Sequence, residues 1–123
     1  MILADTSIWV EHFRRTNSTF EKLLDAGNVV THPFVIGEIA LGYLKRRDFV
    51  LDGLRAMPKA LVASNEEVLD FIDQHSLFGL GIGYVDSHLL AATRLNVGVS
   101  LWTRDKRLSH AAQLLAVATF DFS

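Results

Sequence analysis

The strongest constraint on how this chain can fold is the spacing of its short apolar runs. Ile2-Leu3-Ala4, Val29-Val30-Thr31 and the stretch from Val97 to Thr103 read as strands, and helical patterns too long for hairpins separate them. Strands joined by helical crossovers pair in parallel, and a parallel sheet needs cover on both faces. The chain is therefore expected to be α/β, with a short, mostly parallel central sheet flanked by helices. Trp9 and Phe13 follow the polar turn Asp5-Thr6-Ser7 at helical spacing. Ser18 and Glu21 have the S-x-x-E form of a capping box, with Gly27 placed as a C-terminal stop. A helix is predicted from Pro33 to about Lys45, and an amphipathic stretch opens at Arg46-Arg47-Asp48 and continues through Leu54. Leu61-Val62 reads as a short strand, Ser64-Asn65-Glu66-Glu67 as a second capping box, and Tyr84 to Leu95 as a helix. A last helix follows Asp105 and ends near Ala116, and Val117 to Phe122 reads as a final strand. No repeat or linker divides the chain, so residues 1–123 are expected to form one domain.

Composition narrows the function. Twelve Lys and Arg against 14 Asp and Glu give a net charge of −2, which disfavours generic electrostatic binding to nucleic acid and leaves local patches as the only route. With no cysteine, disulfides, thiolate metal sites and a cysteine nucleophile are excluded together, which fits a reducing cytoplasm. Met1-Ile2-Leu3-Ala4 meets Asp5 at once, and no long apolar run follows, so neither a signal peptide nor a membrane association is expected.

Certain carboxylates stand where charge is costly. At about 100° per residue, the angular neighbours of Glu38 are Phe34, Val35, Leu41 and Gly42. A helix apolar nearly all round is expected to be buried, and an unpaired buried carboxylate costs several kcal/mol. Asp86 repeats the pattern among Ile82, Leu89, Leu90 and Thr93. Asp5 ends the first strand and Asp105 follows the last long one, so both can face the crevice at the carboxyl ends of a parallel sheet. Taken singly, Asp5 and Asp105 could be helix N-caps, and Glu38 and Asp86 could pair with Lys45 or Arg94 or reach solvent. Taken together, four converging acids require cations or protons, and an all-carboxylate set selects Mg²⁺ or Mn²⁺ over zinc.

The segments Leu3-Ala4-Asp5-Thr6-Ser7, Gly37-Glu38-Ile39-Ala40, Tyr84-Val85-Asp86-Ser87-His88 and Leu101-Trp102-Thr103-Arg104-Asp105 resemble the PIN-domain nucleases in order and spacing. Among these, the chain is most similar to the VapC toxins of toxin–antitoxin pairs over essentially its whole length. The resemblance implies a PIN-like three-layer fold and a metal-dependent endoribonuclease that hydrolyses RNA phosphodiester bonds. It makes Asp5, Glu38, Asp86 and Asp105 the metal-binding quartet, with Thr6, Ser7 and Thr103 as hydroxyl helpers. It also implies a homodimer and a VapB-type antitoxin partner. A metal can acidify a bound water and stabilise a leaving oxygen, so no protein nucleophile is needed.

Without the quartet the remainder carries 12 basic and 10 acidic residues, or +2, and Arg104, Lys106 and Arg107 flank a proposed ligand as the first candidates for RNA-backbone contact. Arg14-Arg15 and Lys45-Arg46-Arg47 read as solvated faces. Gly79-Leu80-Gly81-Ile82-Gly83 lacks dinucleotide-loop spacing and serves either close backbone approach or flexible connection. The five histidines are scattered, and Trp9, Phe13, Phe20 and Tyr43 read as core or interface apolars. Two alternatives remain: an aspartyl-phosphate phosphohydrolase, disfavoured because Ser7 stands where a second Asp is usual, and a non-catalytic PIN-like RNA- or protein-binding module.

Overall fold

The computed structural model describes residues 1–121. Three strands, β1 (Ile2–Ala4), β2 (Val29–Val30) and β3 (Ser100–Trp102), form a parallel sheet in the order β2-β1-β3. The register pairs Ile2 with Val29 and Ser100, and Ala4 with Trp102. Central β1 is buried along its whole length, as a parallel strand covered on both faces must be. Isolated parallel bridges extend the edges, from Thr31 to Lys59 and from Leu101 to Thr119.

Seven helices flank this sheet among the described residues: α1 (Thr6–Arg14), α2 (Ser18–Asp25), α3 (Pro33–Ala40), α4 (Arg47–Ala56), α5 (Asn65–Gln74), α6 (Tyr84–Leu95) and α7 (Lys106–Leu114). A main apolar core packs them on the sheet, with Phe20 edge-on to both Trp9 and Trp102 at centroid distances of 4.7 and 5.8 Å, and a smaller cluster of Ala63, Val68 and Ala91 seats α5 on α6. The capping box of Ser64 and Glu67 forms as its sequence requires. At α2 the cap is one residue earlier than expected: Asn17, not Ser18, accepts the Phe20 amide at 3.0 Å.

Several expected elements are shorter. Helix α3 stops at Ala40 rather than Lys45, because the Gly42 amide turns back to the Ile39 carbonyl at 3.0 Å and leaves Tyr43 fully in solvent. Strand β3 starts at Ser100 rather than Val97, since Gly98 takes a left-handed conformation (φ +80°) that breaks the extended run. Leu61-Val62 forms no strand; both side chains are exposed, and the bridge to Thr31 lies at Lys59 instead. Of the expected final strand only the Thr119 bridge is formed, and Phe122 lies outside the described residues.

Candidate metal and nucleic-acid site

The site is built at the carboxyl ends of β1 and β3. The Asp5 amide donates to the Trp102 carbonyl at 3.0 Å, so the residue that follows β1 is tied directly to the end of β3. Asp5 is buried and caps α1, its Oδ1 accepting the Ile8 amide at 3.3 Å. The same oxygen accepts the Ser7 hydroxyl, and Oδ2 accepts the Thr103 hydroxyl. Burial pushes the Asp5 carboxyl above its ordinary range, and these hydrogen bonds partly oppose the shift.

The other acids arrive on helices. Glu38 on α3 accepts the Thr6 hydroxyl at 2.6 Å. Its position corrects the expectation of a buried helix: only Val35 and Ile39 of α3 are buried, and Glu38 lies on the exposed side. Asp86 is in the first turn of α6, half-buried, with Oδ2 accepting the Gly83 amide at 3.2 Å. Asp105 caps α7, its Oδ1 accepting the amides of Arg107 at 2.8 Å and Leu108 at 3.2 Å. The capping role foreseen for Asp5 and Asp105 is therefore real. It engages only one oxygen of Asp105, which leaves Oδ2 for a second task.

The other three acids act on Asp86 electrostatically. Burial first, and then the charges of Asp105, Asp5 and Glu38, push its carboxyl above the ordinary range. Among the described residues, no lysine or arginine forms an ion pair with any of the four. The ion pairs among the described residues are Arg55 with Asp52 and Arg104 with Glu11, so neither Lys45 nor Arg94 pairs with Glu38 or Asp86. Carboxylate oxygens are the donor type that hard divalent cations take. As placed, no three described acidic or histidine side chains form a closed ligand group, because each carboxylate is turned onto its own cap or hydroxyl.

The three hydroxyls are connectors. Ser7 Oγ also accepts the Arg104 amide at 2.9 Å, and Thr103 Oγ1 accepts the Asp105 amide at 2.9 Å. Of the basic candidates, Arg104 is held against Glu11 at 3.2 Å and lies 5.5 Å from the Trp102 ring centre. Arg107 runs over Gly81, where a Cβ would come within 3.0 Å of its side chain. That close approach, with φ at +77°, gives the glycine-rich loop its reason for Gly81. Lys106 is exposed on the first turn of α7.

A profile of the PIN domain matches residues 2–114. The chain belongs to the PIN-domain family. It is also 44% identical over 118 residues to proteins named Ribonuclease VapC32 from two strains of Mycobacterium tuberculosis, covering 96% of this chain and 95% of each relative. It is thus a VapC-type PIN protein of the ribonuclease class. With this membership the phosphohydrolase reading falls, and both Asp5 oxygens are already engaged by hydroxyls. What sequence reasoning missed is a buried histidine pair, His32 and His88, whose contact links residues 56 positions apart (88 minus 32) and has no local signature.

Proposed function

We propose that this chain is a divalent-cation-dependent endoribonuclease toxin in which Asp5, Glu38, Asp86 and Asp105 hold Mg²⁺ or Mn²⁺. The observation that carries the reading is the raised carboxyl of Asp86, set by burial and by three neighbouring acids, with no cationic side chain among the described residues in an ion pair with any of them. A bound divalent ion would supply positive charge at the scissile phosphate and acidify an attacking water. The protein's own part is positioning. Ser7 and Thr103 fix both oxygens of Asp5, Thr6 fixes Glu38, and the Gly83 amide fixes Asp86. Lys106 and Arg107, beside Asp105 on α7, supply phosphate contacts, and Arg104 presents a guanidinium held by Glu11.

Residues 1–123 act as one domain, in the cytoplasm, as a homodimer neutralised by a VapB-type antitoxin. No helix among the described residues is long and apolar enough to cross a membrane. An apolar groove of about 630 Å³, with Phe13, Ile39, Tyr43, Leu44 and Val50 in its lining, supports a protein partner on the α1, α3 and α4 side. The test incubates purified chain with single-stranded and structured RNAs in Mg²⁺, Mn²⁺ or EDTA. Internal cleavage that requires the metal supports the reading, and metal-independent cleavage or none with any RNA contradicts it.

A further inference from the structure

His32 and His88 are both buried, and each has one ring nitrogen without a partner: Nε2 of His32 and Nδ1 of His88. Their other nitrogens fix the tautomers. His32 Nδ1 accepts the Phe34 amide at 3.1 Å, so the ring proton of the neutral imidazole sits on Nε2. The Tyr84 hydroxyl donates to Asn65 Oδ1, so its oxygen accepts from His88 Nε2 at 3.1 Å, and His88 Nδ1 is bare. Burial and the neighbouring His88 hold His32 down to about 4, so its ring carries one proton at neutral pH. The unmatched donor and the unmatched acceptor thus belong to adjacent rings, with centroids 5.9 Å apart. Phe34 packs edge-on to His88 at 4.5 Å beside this contact.

We propose that one water bridges His32 Nε2–H to His88 Nδ1, completing a one-directional relay from the Phe34 amide through His32, His88 and Tyr84 to Asn65. The relay joins the N-terminus of α3 to α6 and to the start of α5. Because α3 carries Glu38 and α6 carries Asp86, His32 and His88 are positioning residues that set the separation of two acids. This role rests on the four-carboxylate reading above.

Two measurements test it. On the wild-type protein, imidazole ¹⁵N shifts at neutral pH should show both rings protonated at Nε2 alone; an Nδ1–H tautomer on either ring breaks the relay and overturns the proposal. The variants His32→Asn, which can still cap α3, and His88→Phe, which keeps a ring, should each raise the half-saturating Mn²⁺ concentration for RNA cleavage about tenfold or more. The double variant should be no worse than the worse single, as expected for one chain of bonds. Unchanged Mn²⁺ curves in folded single variants, or fully additive losses, would overturn it. Wild type with EDTA and Asp86→Asn run alongside: cleavage persisting in both marks a failure of the carboxylate reading, and normal loss there with wild-type curves for the histidine variants marks a failure of the relay alone.

Discussion

Thr103 donates its hydroxyl proton to Asp5 across a sequence separation of 98 residues, and the same oxygen accepts the Asp105 amide at 2.9 Å. One side chain therefore couples the first and last acids of the quartet. Thr103→Val keeps the shape and removes both bonds, leaving a buried carboxylate oxygen unsatisfied. It should cost about 1–3 kcal/mol in urea unfolding and raise the Asp5 carboxyl further, whereas Thr103→Ser should stay near wild type.

The acids separate into two behaviours. Glu38→Gln and Asp86→Asn remove a proposed ligand's charge and relieve repulsion, so RNA cleavage should fall by about 100-fold or more while metal-free thermal stability holds or rises. Asp5→Asn should lose activity and also stability, because its amide nitrogen cannot accept the hydroxyl bond that one carboxylate oxygen now takes. Activity assays beside thermal melts distinguish the two. A folded Asp86→Asn with full activity would remove Asp86 from the site.

At Asp105 the cap uses Oδ1, and the proposed ligation would use Oδ2. Asp105→Ser should keep helix α7 capped and raise the Mn²⁺ needed for cleavage, and Asp105→Ala should in addition lose about 1 kcal/mol of stability. A Mn²⁺ titration of the Ser variant that superimposes on wild type would leave Asp105 as a cap and reduce the site to three acids.

Stability should depend on pH in two opposed ways. Asp5 and Asp86 are raised above 3.8 by burial, so the native state binds more protons than the unfolded chain. Their contribution to metal-free stability is full below 3.8 and is lost as pH rises through the raised values. His32 is lowered from 6.5 to about 4, so its contribution is present above 6.5 and is lost as pH falls toward 4. The melting-temperature advantage of Asp86→Asn over wild type should accordingly grow from acid to neutral pH and vanish on adding Mn²⁺. A constant difference across pH would show that the raised carboxyl is not the cause.

Local chemistry made much of this legible in the sequence. Ser64 with Glu67, the β-branched run at Val29 and the acid following β1 each declare themselves through neighbours within a few residues. The run around Glu38 misleads, because its apolar density predicts burial, whereas Leu41 is 90% exposed and Tyr43 stands fully in solvent. An apolar surface reserved for a partner has the same composition as a core. The hydroxyl links of Asp5 to Thr103 and the contact of His32 with His88 are tertiary, and no periodicity encodes which distant side chains meet.

The most direct test of the central claim, that four carboxylates share one cation site, is paramagnetic broadening by Mn²⁺ in the ¹H–¹⁵N spectrum of the protein. Sub-stoichiometric Mn²⁺ should broaden amides around Asp5, Glu38, Asp86 and Asp105 together, compete with Mg²⁺, and have much less effect on Asp86→Asn. Broadening elsewhere, or the same pattern undiminished in Asp86→Asn, would contradict the account.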